Sequence, residues 1–397
     1  MAKNTHLEHL EYDIFNQVYA GATNAVNFLK SLRDMLSDSS GGSNVKVTTK
    51  WDGAPAIVCG RNPQTGKFFV GTKSVFNKSD PKIVYTSADA DKYYGGSSTV
   101  GDILKKCLIY LSKLPIEGVL QGDLLYQTTP SVISQDQKPH YRFKPNTITY
   151  TIPKYSGVGQ KVGGSKLGIV FHTEYKGDTI STMSAGFGCS VSGLQGVKDV
   201  AVFSSEFQNI NGMANLSQTE KNALNAVIVK SERDLRGGQS FLNDVQGGKG
   251  PFTIPALFKV YFNQVVRGGV VPTSEGMAKG FGAFVKSKYD SEIMKKKTPK
   301  ARNDWRSRRR ADLKYLNSNK TQMLSAFRGF KSLMDAKVQI INKLVKIKSV
   351  GTFLEDENGM RATSPEGFVA IKDGAALKLV DRLEFSRANF TVAKDWG

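Results

Sequence analysis

The sequence predicts an α+β protein in which antiparallel-rich sheets are interrupted by a large basic helical block. Three observations carry that prediction. Short apolar runs of strand length, separated by turn formers, fill residues 45–190. Helical periodicity dominates beyond about Gly212, and strand-like runs return near the C-terminus. Of the formal net charge of +20, fifteen charges fall between Lys279 and Val350. The resulting division is an N-terminal helical segment over 1–40, a sheet-based core over 41–211, a basic helical insertion over 212–350, and final core strands over 351–397.

Each element has its own signal. From His6 to Leu36, Leu7, Leu10, Ile14, Val18, Val26, Leu29, Leu32 and Leu36 recur at helical steps, and the Ser/Gly run 37–43 stops them. Strands are expected at Val45 to Lys50, Ala56 to Gly60, Lys67 to Val70, Gly118 to Tyr126 and Leu167 to Tyr175, with turns such as Asn62-Pro63 between them. Helices are expected over Leu216 to Leu235, Ile254 to Val266 and Gly276 to Lys348. In the last, Met323, Phe327, Phe330, Met334, Val338, Ile341 and Val345 form a core-facing stripe. Gly367 to Ile371 and Ala376 to Val380 read as strands.

Composition excludes several classes. Hydrophobic residues make up 40% of 397, enough for a substantial core and too many for a disordered chain. No run approaches the roughly 20 apolar residues that span a bilayer. The N-terminus has no apolar core of a secretory leader, so a cytoplasmic protein is expected. Three scattered cysteines without a CxxC pair indicate reduced thiols, and the four histidines form no metal-ligand spacing. The cationic excess calls for a polyanionic partner, nucleic acid above all, although an anionic membrane satisfies the same arithmetic.

The chemistry-bearing residues begin with Lys50-Trp51-Asp52-Gly53, a lysine at a strand end beside a tight turn. Alone the motif also fits a surface lysine before a turn. Its companions follow in order: Leu120-Gln121-Gly122-Asp123, Gly168-Ile169-Val170-Phe171, Glu366-Gly367-Phe368-Val369 and Leu377-Lys378-Leu379-Val380. Five motifs in this order resemble the covalent nucleotidyltransferase superfamily of polynucleotide ligases and mRNA capping enzymes, over residues 45–175 and 362–382. The resemblance implies a nucleotidyltransferase (ATP-grasp-like ligase) core, with ATP and Mg2+ or Mn2+ as cofactors.

It also implies roles. Lys50 takes up AMP, Asp52 and Gly53 shape the turn around it, and Thr48 and Thr49 stand where such enzymes contact adenine. Asp123 meets the ribose or a metal-bound water, and Phe171 stacks on adenine. Glu366 holds the metal, Lys378 contacts the AMP phosphate, and Lys73 meets the ribose or a 5′-phosphate. Phe171 fits an ordinary strand-core residue equally well, and His172 and Glu174 read as structural or outward-facing. A lysine has an ordinary pKa of about 10.4, so a neutral amine at pH 7 costs about 4 kcal/mol, which neighbouring cations or a divalent metal supply.

The chain departs from the family pattern at Pro55, where many DNA ligases have arginine, and at Thr48 and Thr49, where many have glutamate. Asp123 replaces a more usual glutamate. The final motif lacks its second lysine, leaving Lys372 or Arg382 as substitutes. Nineteen residues follow Lys378, too few for the oligonucleotide-binding barrel of DNA ligases and capping enzymes, which favours the phage-like RNA-ligase branch, acting as a monomer in a host cytoplasm. The basic insertion is expected to replace that barrel as a nucleic-acid clamp. Lys295, Lys296, Lys297, Arg306, Arg308, Arg309 and Arg310 would meet phosphates, and Trp305 and Tyr315 would stack on bases. Its plainer alternative is a solvated charged surface. A DNA ligase, a GTP-using capping-type guanylyltransferase and a catalytically silent nucleic-acid-binding module are the rival readings.

Overall fold

A computed structural model describes residues 8–37, 45–96, 98–205, 215–245, 250–345, 351–356, 359–362, 367–372 and 375–383. In chain order the strands are β1 (Glu8–His9), β2 (Val45–Lys50), β3 (Ala56–Arg61), β4 (Phe68–Gly71), β5 (Val119–Tyr126), β6 (Ser131–Gln135), β7 (Lys138–Phe143), β8 (Ile148–Pro153), β9 (Leu167–Lys176), β10 (Ser184–Phe187), β11 (Val200–Ser204), β12 (Gly351–Asp356), β13 (Gly359–Ala362), β14 (Gly367–Lys372) and β15 (Ala375–Leu379). The helices are α1 (Asp13–Asn16), α2 (Val18–Met35), α3 (Ser87–Tyr94), α4 (Thr99–Leu111), α5 (Gly157–Gly164), α6 (Gln218–Gly237), α7 (Gln239–Asp244), α8 (Ile254–Arg267), α9 (Ser274–Lys295), α10 (Pro299–Ser318) and α11 (Lys320–Leu344). The protein is α+β, and its described strands form three sheets.

The first sheet runs β1-β15-β14-β2, antiparallel except for β1 alongside β15. The second runs β10-β9-β5-β3-β4, with β11 parallel to β9, and the third runs β13-β12-β8-β7-β6. The chain leaves the sheets after β11 and re-enters at β12, which pairs with β8. The helical block is therefore an insertion in a sheet-based unit, as the return of strand-like sequence suggests.

Alternation along the first sheet separates two environments. Val47, Phe368, Ala370, Leu377 and Leu379 join the core beneath the helices. Thr48, Lys50, Val369, Ile371 and Lys378, the intervening residues, line a cleft on the other face. That core also takes in Leu10, Ile14 and Phe28 of the N-terminal segment and Phe258, Phe327 and Phe330 of the insertion. The N-terminal helices and the inserted helices thus share one hydrophobic core.

Three features differ from the sequence expectation. The helix expected from His6 begins with β1 and a 3-10 turn, because Glu8 and His9 pair with Leu377 and Lys378. The long helix expected over Gly276 to Lys348 is three helices. Thr298 caps α10 by accepting from the Ala301 N–H, and Pro299 at the first helical position cannot continue α9. The strands β6, β7 and β8 have no counterpart in the expected set; β7 carries Pro139, His140 and Arg142 within it.

Candidate nucleotide site

The cleft has a volume of about 450 Å³ and is walled by the first two sheets. Lys50 ends β2, directly opposite Gly367 of β14. A Cβ on Gly367 would fall 2.4 Å from the Leu379 carbonyl oxygen, so only glycine fits beside β15 here. Glu366 itself lies outside the described residues, and so do its expected metal and catalytic roles.

The turn after Lys50 is tied to the strand that carries Asp123. The Ala54 N–H donates to the Leu124 carbonyl (2.8 Å), and the Leu124 N–H donates to the Pro55 carbonyl (3.1 Å). A Cβ on Gly53 would lie 2.6 Å from the Asp123 Cβ, so this close approach requires glycine. Thr48, Thr49, Lys50, Trp51, Gly53, Lys73, Asp123 and Lys378 all line the cleft. They arrive from β2, β5, β15, the turn after β2 and a 3-10 turn at Lys73–Phe76 whose N-cap is Thr72.

Two expected residues do not reach it. Asp52, expected among the catalytic residues, is 4% exposed and points into the β7–β8 turn. Its carboxylate accepts from the Thr147 N–H (2.7 Å), the Ile148 N–H (2.8 Å) and the Asn146 amide (2.7 Å). It braces the motif from behind. Phe171, expected to stack on adenine, is fully buried in the core with Ile57, Leu104 and Ile169. Of the residues considered for the final motif, Arg382 is also buried, donating to Tyr12 and to Asn263 (2.5 Å) away from the cleft. The Lys372 side chain lies outside the described residues.

Phe171 shares the core face of β9 with Leu167 and Ile169 by ordinary alternation, and a bulge directly follows it. Against β5, Gln121 pairs with Thr173 and Gly122 with Phe171, leaving His172 as the extra residue. At the same point the outer partner of β9 changes from β11, paired through Phe171, to β10, paired from Thr173. Val170, His172, Thr173 and Tyr175 therefore face the cleft while Phe171 turns away. The aromatic that β10 contributes to the cleft wall is Phe187.

His172, read from sequence as structural, is part of the site. Its Nε2 lies 3.5 Å from an Asp123 carboxylate oxygen, and its Nδ1 is 2.8 Å from the Thr173 hydroxyl. Burial pushes the Asp123 carboxyl up, but His172, Lys50 and Lys73 outweigh it and hold the group below the ordinary carboxylate value. Alternation from Val170 puts His172 on the cleft face, and the bulge that follows brings Thr173 and Tyr175 there as well.

Lys50, Lys73, Lys378 and Asp123 thus share the cleft with the apolar Val170, Ala185, Phe187, Val369 and Ile371. Val170 pairs across the sheet with Asp123, and Val369 with Lys378. Ser205, 2% exposed at the end of β11, has a hydroxyl without a hydrogen-bond partner, and so does the Trp51 indole N–H. The Ser205 carbonyl accepts from the Thr49 N–H (2.6 Å), which holds it beside the lysine strand. This arrangement fits an apolar ring with polar edges joined to an anionic group, as in a nucleoside triphosphate. Among the described residues no group of three or more His, Cys, Asp or Glu is placed to hold a metal. Asp123 alone suits magnesium, which takes one or two carboxylates together with substrate phosphates.

A family model matches residues 4–394. The chain belongs to DUF6267, a family of unknown function. No curated protein and no solved structure matches it. No described helix is long and apolar enough to cross a membrane.

The expected clamp residues divide. Lys295 and Lys296 pair with Glu292 (3.4 and 2.5 Å), and Arg309 pairs with Asp290. Lys297, Arg306, Arg308 and Arg310 are exposed. Trp305 and Tyr315 are not stacking platforms. Trp305 packs on Phe252 (4.7 Å) and Tyr289 (5.8 Å), with Lys296 and Arg308 over its ring, and Tyr315 stacks on Phe241 (6.1 Å).

Proposed function

We propose that this protein is an ATP-dependent polynucleotide ligase of RNA-ligase type, joining 3′-hydroxyl and 5′-phosphate ends. What supports the reading is the convergence of Lys50, Lys73, Lys378 and Asp123, from separate elements, in one cleft that also has apolar walls. Phosphoryl transfer is chiefly positioning and charge neutralisation, and this arrangement provides both.

In the first step the neutral Lys50 amine attacks the α-phosphorus of ATP. A P–N bond forms, the bond to the bridging oxygen breaks, and its electron pair leaves with pyrophosphate. The amine's proton passes to solvent. In the second, a 5′-phosphate oxygen attacks the same phosphorus and the P–N bond breaks, restoring the lysine. In the third, the 3′-hydroxyl oxygen attacks the 5′-phosphate of the strand and AMP leaves. Lys73 and Lys378 hold phosphate oxygens, while Val170, Phe187 and Val369 flank the base. A bound divalent ion would add charge neutralisation at the phosphates, with Asp123 as its carboxylate.

Incubation with labelled ATP or GTP, followed by acid quenching, tests the first step. An ATP adduct on the wild type that is lost in Lys50→Ala is expected. An adduct with GTP alone moves the protein to the guanylyltransferases. No adduct with either nucleotide defeats the covalent chemistry, and an adduct persisting in Lys50→Ala moves the nucleophile elsewhere.

A further inference from the structure

Helix α10 is polar around most of its circumference, and Leu316 is its one fully buried residue. It carries Lys300, Arg302, Arg306, Arg308, Arg309, Arg310 and Lys314 against two acids, Asp304 and Asp312. Ala301, Trp305, Arg309, Asp312, Leu313 and Leu316 mark the side turned toward the protein, all half-buried or buried. Asp312 is occupied there, accepting from the Tyr289 hydroxyl (2.6 Å).

On the outer side, Arg302, Arg306, Arg310 and Lys314 are exposed and follow each other at four-residue steps. At about 1.5 Å per residue this column is roughly 18 Å long, drifting gradually around the helix. Lys300 extends the same surface. Asp304 stands two residues from both Arg302 and Arg306, about half a turn away, and does not interrupt the column.

We propose that this outer face of α10 is a binding surface for double-helical nucleic acid, held through its sugar-phosphate backbone. The exposed positions of α10 include no large apolar side chain, so the helix lacks what an interfacial membrane helix inserts. The nearby aromatics Trp305 and Tyr315 are packed inward, so the surface offers no platform for unstacked bases. What remains is a stiff row of cations. A duplex presents one phosphate per roughly 3.4 Å along each strand, so the row spans about five base steps. The surface lies outside the nucleotide cleft, and the proposal stands whether or not Lys50 takes up a nucleotide.

Fluorescence anisotropy with short labelled DNA and RNA duplexes, the matching single strands and anionic vesicles tests it. The triple variant Arg306→Ala, Arg310→Ala, Lys314→Ala should bind duplex at least about tenfold more weakly at 0.15 M salt. Its log–log salt slope on duplex DNA should fall by about 0.9 for each lost contact, close to three in total. Alanine favours helix, so circular dichroism should be unchanged, and a variant with lysine at all three positions should keep the wild-type slope. An unchanged slope, single strands bound as tightly as duplex, or capture by vesicles alone would overturn the proposal. Adduct formation at Lys50, measured in the same variant, separates loss of this surface from failure of the nucleotide chemistry.

Discussion

At the scale of single residues, alternation and one inserted position in β9 together decide which side chains meet the cleft. Strand residues alternate between faces, and a one-residue slip exchanges them. Alternation puts Val170 and His172 into the cleft and Phe171 into the core, and the bulge at His172 adds Thr173 and Tyr175 to the cleft. The two phenylalanines should therefore behave oppositely. Phe187→Ala should raise the KM for nucleotide in adduct formation by about tenfold, consistent with about 1–3 kcal/mol for a base–aromatic contact, while Tm stays nearly constant. Phe171→Ala should destabilise by about 3–5 kcal/mol through the cavity it leaves. A Phe171 variant of normal stability with weakened nucleotide affinity would reverse the assignment. The motif around Lys50 was legible as a strand end and a turn. That its aspartate faces the β7–β8 turn was not, because Asn146, Thr147 and Ile148 lie about a hundred positions away in sequence.

At the scale of elements, caps set the helix boundaries. Ser217 and Glu220 form a capping box at the start of α6, each side chain engaging the other's backbone N–H. The Lys343 ammonium of α11 donates to Glu220 (2.7 Å), and with the Ser217 N–H it lowers the Glu220 carboxyl to about 2. A carboxylate depressed in the folded state adds stability above its unfolded value of about 4.5, lost as pH falls toward about 2. The Tm difference between wild type and Glu220→Gln should accordingly be present at pH 6 and shrink toward pH 2. A difference independent of pH would assign the effect to packing. The periodicity of the helical block was readable from sequence because a core-facing stripe repeats locally. The breaks at Thr298-Pro299 and at Asn319 are also local signals, and both lie N-terminal to the stripe from Met323 to Val345.

At the scale of the molecule, the N-terminal segment joins the inserted helices to the first sheet. Glu11 and the α11 residue Lys337 are both essentially unexposed, with the ammonium donating to both carboxylate oxygens (2.9 and 2.7 Å). Burial lowers the Lys337 pKa, and the Glu11 charge opposes that shift. Removing one partner strands a buried charge, so Lys337→Met should destabilise by about 3–5 kcal/mol. The pair Glu11→Leu with Lys337→Met should recover most of that loss, as chemical denaturation can show. A double variant no better than the single would mean that the pair is not the source of the effect.

The sequence by itself determined the α+β class, the helical insertion, the concentration of positive charge within it, and the strand positions of Lys50, Asp123 and Lys378. Each is written in local periodicity, composition or motif order, which a linear reading can see. Tertiary structure decided which of those side chains meet. It gathered Lys50, Lys73, Asp123 and Lys378, added Thr173 and Tyr175 to the cleft, turned Asp52 away, and packed Trp305 and Tyr315 into the helical core. Those outcomes depend on strand register, a bulge and contacts between residues tens to hundreds of positions apart, and none of these leaves a local trace in the chain.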